Sequence, residues 1–101
     1  FSHFATADEE DNSFTIEQEQ IFDRIIGQVK DDFAFDFVHL ANSAATIRQK
    51  IFKGMNRVGI SLYGLYPSKV VKDNTEIELD KVFKLYTYVH FVKEIDANIP
   101  I

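Results

Sequence analysis

This 101-residue sequence predicts an α/β chain, on three observations. Short apolar runs at Phe1–Ala5, Phe33–Ala41 and Met55–Leu62 are separated by segments of helical character. That is the strand–helix rhythm of a parallel sheet with right-handed crossovers. Beyond Pro67 the pattern changes to apolar–polar alternation, which belongs to a strand of antiparallel type. The change falls in the polar connection Lys69–Glu76, so a domain boundary is expected between about Pro67 and Glu76.

Phe1–Ala5 reads as the end of a strand with His3 near its C-terminal tip. The four acids Asp8–Asp11 lack the alternating ligands and the glycine of a calcium loop, so they read as a solvated acidic turn and not a metal site. Thr15 and Gln18 match a capping box, with Glu17 in the first turn. Ile21, Phe22, Ile25, Ile26 and Val29 recur at helical spacing and are expected to be core, with Glu19, Asp23, Arg24 and Lys30 facing water. Phe33–Ala41, dense in Phe and Val between Asp31-Asp32 and Asn42-Ser43, reads as a buried strand, with His39 a hydrogen-bonded core histidine by default. Ser43 can cap a helix running through Lys50. A helix that opens directly after a strand is also a ready anion site. In the tail, Phe83, Leu85, Thr87, Val89, Phe91 and Ile95 lie mostly on one face of a long strand beginning near Ile77.

Composition excludes several classes. A net charge of −5 disfavours nucleic acid or an anionic membrane as the main partner. Without cysteine there is no disulfide, thiolate nucleophile or Cys-type metal site, as in a cytosolic protein. No apolar run approaches the roughly 18 residues of a membrane span. A chain that opens on Phe-Ser-His-Phe is expected to have been cut from something longer.

The chemistry concentrates in Asn56-Arg57-Val58-Gly59-Ile60-Ser61-Leu62-Tyr63-Gly64-Leu65-Tyr66-Pro67. An arginine inside an apolar run needs a fixed partner, because a desolvated guanidinium is costly when unpaired. Gly59 lets the backbone approach a bulky group, and the amides that follow can donate to an anion. A cation and bare amides thus meet at one strand end, as a phosphate-bearing cofactor requires. The plain alternative is a strand with a surface-paired arginine and a bulge glycine.

Three blocks together resemble alanine racemase, a pyridoxal-phosphate enzyme: Phe1-Ser2-His3-Phe4-Ala5-Thr6-Ala7-Asp8, then His39-Leu40-Ala41-Asn42-Ser43-Ala44-Ala45-Thr46, then Asn56-Arg57-Val58-Gly59-Ile60 with Leu62-Tyr63-Gly64. Their order and gaps are family-like, and the resemblance spans essentially the whole chain. It implies the last three βα units of a (β/α)8 barrel over residues 1–68. Residues 69–101 would then be the connection and the first long strand of a C-terminal β domain. It further implies that the Ser43 hydroxyl and the Gly59 and Ile60 backbone hold the phosphate of pyridoxal 5'-phosphate, and that Arg57 points at the pyridine nitrogen. His3 and His39 would orient Arg57, with Asn42 in support. In such barrels phosphate is commonly held by the loops after the last two strands, which is where Ser43 and Gly59-Ile60 fall.

The family's two bases, a Schiff-base lysine and a tyrosine in a Ser-Tyr-Gly motif from the partner subunit, have no matching position here, so no catalytic residue is assigned. The resemblance implies a cytoplasmic homodimer that interconverts L- and D-alanine for peptidoglycan, with this piece inactive by itself. Three other readings stand beside it: a related serine racemase, a non-catalytic assembly fragment, and a cofactor-binding protein without racemase activity. The long alternating tail argues against the last.

Overall fold

The computed structural model describes residues 1–49 and 54–98. Their regular elements are helix α1 (Ser13–Val29), helix α2 (Ser43–Gln49), a 3-10 turn (Ile60–Tyr63) and helix α3 (Lys69–Asp73). Lys50, to which the second helix was expected to extend, lies outside the described residues. No described helix is long and apolar enough to cross a membrane.

The start of α1 differs from the capping box. Asp11 accepts the Ser13 N–H through Oδ1 at 2.9 Å. Thr15 lies within the first turn and is buried, its hydroxyl 3.2 Å from that of Thr6. Threonine is read as a cap when its oxygen can reach the helix backbone; here the oxygen turns inward to a second hydroxyl instead. The apolar face of the helix is only partly covered. Phe22 is buried and Ile26 packs on the core, whereas Ile21 and Ile25 are exposed, against the expectation that all of them are core.

At α2, Asn42 does the capping. Its Oδ1 accepts the Ala45 N–H at 3.0 Å, and its carbonyl accepts both the N–H and the hydroxyl of Thr46. Ser43, the expected cap, is left with its hydroxyl available for the site described below. At α3, the Ser68 hydroxyl accepts the Val71 N–H at 3.2 Å and donates to the Asp8 carbonyl at 2.6 Å. The polar connection therefore contains a short capped helix, and Val71 is fully buried. Phe4, Ala7, Phe22, Leu40, Ala44, Ala45, Ile47 and Val71 form the core, with Val38, Ala41 and Leu79 packed against it.

The expected α/β fold is corrected here. Among the described residues there is no strand, so neither three βα units of a (β/α)8 barrel nor a long strand of a β domain is formed. Phe1–Ala5 runs irregularly ahead of α1, and Phe33–Ala41 and Met55–Val58 lie in irregular connections between elements. Neighbouring connections exchange isolated bonds, Ser2 N–H to the His39 carbonyl at 3.3 Å and Arg57 N–H to the Ala41 carbonyl at 3.0 Å, and not a repeating ladder. A strand is a pairing, not a property of one segment. Alternation and β-branched content supply the candidate, and only a neighbour in register completes it. The same holds for burial: Phe33, Phe35 and Phe37, expected inside a buried strand, are all exposed. Residues 75–96 carry no regular structure, and Leu85 is 91% exposed.

Candidate cofactor site

The site is built around Arg57. Its backbone N–H is tied to Ala41, which sets its guanidinium between the first connection and the one before α2. Nη1 lies 2.5 Å from His39 Nδ1. Nη2 donates to the Ser2 carbonyl at 2.8 Å and the Leu40 carbonyl at 3.3 Å, and lies 3.2 Å from His3 Nδ1. None of these four contacts uses Nε.

Arginine is always a donor, so His39 Nδ1 accepts and that ring carries its proton on Nε2. On the other side of the cluster Asn42 Nδ2 lies 3.5 Å from His3 Nε2. Phe1 closes the cluster from outside. It stacks on His39 with centroids 5.3 Å apart and carries the Arg57 guanidinium 5.3 Å from its ring centre. The pKa of His39 is held below its ordinary value, first by burial, then by the Arg57 charge and the chain's amino terminus. A neutral ring is the form that can accept from Arg57, so geometry and titration agree.

Beside this cluster, Ser43 Oγ accepts the Gly59 N–H at 2.9 Å, joining the start of α2 to the start of the 3-10 turn. The hydroxyl proton of Ser43 is then free to donate in the opposite direction. Ser43, Gly59 and Ile60 share one open pocket of about 290 Å³ with Arg57, His3 and Asn42. Of the seven residues expected at a cofactor, His39 alone does not line it and stands behind Arg57. Asp8, Ala44 and Pro67 complete the wall. Asp8 was legible only as the first of four acids, a pattern that gives no reason to separate it from Glu9, Glu10 and Asp11. No group of acids and histidines able to hold a metal occurs among the described residues.

A Cβ at Gly59 would meet no protein atom within 4 Å, so nothing in the protein itself requires glycine there. The space beside it belongs to the pocket. The Ser43 hydroxyl proton, the Ile60 amide and the Arg57 guanidinium give this pocket three kinds of donor, beside the carboxylate of Asp8.

Residues 1–67 match the family model described as alanine racemase, N-terminal domain. The alanine racemase of Clostridium novyi is 40% identical over 101 residues, covering 97% of this chain and 26% of the relative. That of Macrococcus caseolyticus is 36% identical over 99 residues, covering 97% and 25%. Among solved structures, the Bacillus anthracis alanine racemase with bound L-Ala-P superposes with a TM-score of 0.70 at 40% identity, over 78% of this chain and 21% of that one. The Clostridium difficile enzyme in complex with cycloserine gives 0.70 at 35% identity, over 78% and 22%. The chain spans about a quarter of the length of the curated relatives it matches. With two thirds of its residues matched by the family model and its length covered by relatives of one kind, this chain belongs to the alanine racemase family.

Proposed function

We propose that this chain is the part of a racemase that seats pyridoxal 5'-phosphate, within a whole enzyme that interconverts L- and D-alanine as a cytoplasmic homodimer supplying peptidoglycan synthesis. The observation that carries the proposal is the convergence of Ser43, Gly59, Ile60 and Arg57 on one pocket. When bound, the cofactor supplies an electron-withdrawing ring that acidifies the substrate's Cα hydrogen. The residues of this chain hold it. Ser43 donates its hydroxyl proton to the phosphate while keeping the Gly59 amide in place, and the Ile60 amide donates alongside. Arg57 donates to the ring nitrogen without giving up its proton, because a guanidinium does not deprotonate in a protein. Arg57 would thereby hold a ring nitrogen without protonating it, which would favour return of the proton to carbon. His39 holds the guanidinium from behind, and His3 meets it on the pocket wall with Asn42 beside it. Racemisation also needs a base on each face of the substrate. Neither base has a position in this chain, which by itself is inactive.

The test is deuterium uptake of peptides covering residues 40–47 and 57–62 during titration with pyridoxal 5'-phosphate, with phosphate-free pyridoxal as control. Both peptides should gain protection with the phosphorylated compound alone. Ser43→Ala should raise half-saturation about tenfold, the worth of one charge-assisted hydrogen bond. Equal responses to both compounds, or no response in either peptide, would overturn the assignment.

A further inference from the structure

The segment from Gly59 to Tyr66 has contacts on two sides. At its start, Gly59 and Ile60 line the pocket. The 3-10 turn carries that wall directly to Gly64, with Leu62 N–H bonded to the Gly59 carbonyl at 3.0 Å and Gly64 N–H to the Ser61 carbonyl at 3.1 Å. Gly64 has φ +74° and is buried against the tail. A Cβ there would fall 1.9 Å from the Asp80 carbonyl oxygen and 2.7 Å from Lys81 Cα, so any side chain must push the two backbones apart by more than an ångström. Two residues on, the Tyr66 hydroxyl donates to the Ile77 carbonyl at 2.7 Å and accepts the Leu79 N–H at 3.2 Å. From the turn itself, Tyr63 meets Phe83 edge-on at 5.4 Å. The tail is thus held from Ile77 to Phe83 by residues of the same short segment that walls the pocket, while Leu85 and the apolar residues after it stand in solvent.

We propose that Gly64 and Tyr66 are positioning residues that lock the tail to the pocket wall, so that the placement of the Ile60 amide and the placement of the tail vary together. Four residues in a hydrogen-bonded 3-10 turn leave little slack between the two ends. A push at Gly64 therefore reaches Ile60. The inference rests on the reading of this pocket as a phosphate seat and extends it: the seat is set by a contact outside itself.

The experiment measures deuterium uptake across residues 59–62 and 77–83 in the wild-type chain, Gly64→Ala and Tyr66→Phe, each with and without inorganic phosphate. Faster uptake in both regions, with phosphate half-saturation raised at least fivefold in Gly64→Ala and measurably in Tyr66→Phe, is the expected result, since displacements near an ångström weaken positioned contacts steeply. Faster uptake in 77–83 with 59–62 and phosphate half-saturation unchanged overturns the coupling and leaves the phosphate seat standing. A wild-type chain that ignores phosphate removes the seat, and the coupling is then decided by uptake over 59–62 in Tyr66→Phe. The same variant decides if Gly64→Ala does not fold, because it removes one hydroxyl and adds nothing.

Discussion

Replacing Arg57 with lysine separates charge from shape. Lysine keeps the positive charge, but a single ammonium cannot span His39 Nδ1 on one side and the Ser2 and Leu40 carbonyls on the other. At least two of the four contacts are lost, and two half-buried carbonyls are left to water. A hydrogen bond from a charged donor contributes roughly 1.5–3 kcal/mol where well desolvated. The site is open, so the lower end applies and screening reduces it further. The sum is about 2 kcal/mol. With a urea m-value on the order of 1–2 kcal/mol/M, the unfolding midpoint of Arg57→Lys should fall by about 1–2 M. Equilibrium unfolding followed by far-UV circular dichroism at low micromolar protein reads this directly. Deuterium uptake at Ser2–Phe4 should rise in the same variant under native conditions. A loss below about 0.5 kcal/mol with Ser2–Phe4 unchanged would refute the view that the guanidinium fork, and not its charge, holds these connections together.

Three further outcomes follow from the same structure. The pKa of His39 is lower in the folded chain than in the unfolded one, so the unfolded chain binds the extra proton first. The corresponding stability is present above the ordinary histidine value of about 6.5 and is lost as pH falls through and below it; a pH series of urea midpoints should show that decline in the wild type and a flatter curve in His39→Gln. Both amide atoms of Asn56 are buried with no hydrogen-bond partner among the described residues, so Asn56→Leu should raise the unfolding free energy by about 1–2 kcal/mol; a destabilised variant would show that the amide has a role the geometry does not reveal. Leu85, Val89 and Phe91 stand about four-fifths or more exposed, and the chain alone should associate with rising concentration in sedimentation velocity, with Leu85→Lys combined with Phe91→Lys shifting it toward monomer. A sharp, monomeric, cooperative thermal transition in the unmodified chain would contradict that.

What the sequence made legible follows the physics of single residues. A lone arginine among apolar neighbours demands partners, and Arg57 has them, with His3 and His39 among the atoms it meets. The helical period from Ile21 to Val29 locates α1, because a helix closes its hydrogen bonds within itself. Its starting point escaped because Thr15 has two possible uses for one hydroxyl, and only the presence of Thr6 nearby chooses between them. Asn42 and Ser43 are adjacent, both competent caps, and the choice between them is set by Gly59, sixteen residues away. The strands failed for a deeper reason. The alternation from Phe83 to Ile95 states which face would be buried if a neighbour existed, and no residue in that stretch can state that the neighbour is there.

The Arg57 contacts with Ser2 and His3 close separations of 55 and 54 residues. Closing a flexible loop of that length costs roughly 3–4 kcal/mol of chain entropy, to be set against only a few bonds. Such contacts form late in folding, after the local helices. The fixed guanidinium is consequently an all-or-none property: a chain emerging from the ribosome can have α1 formed while Arg57 is still unmade, and until residue 57 arrives neither histidine has its partner. The cluster thereby records that the two far ends of this region have met.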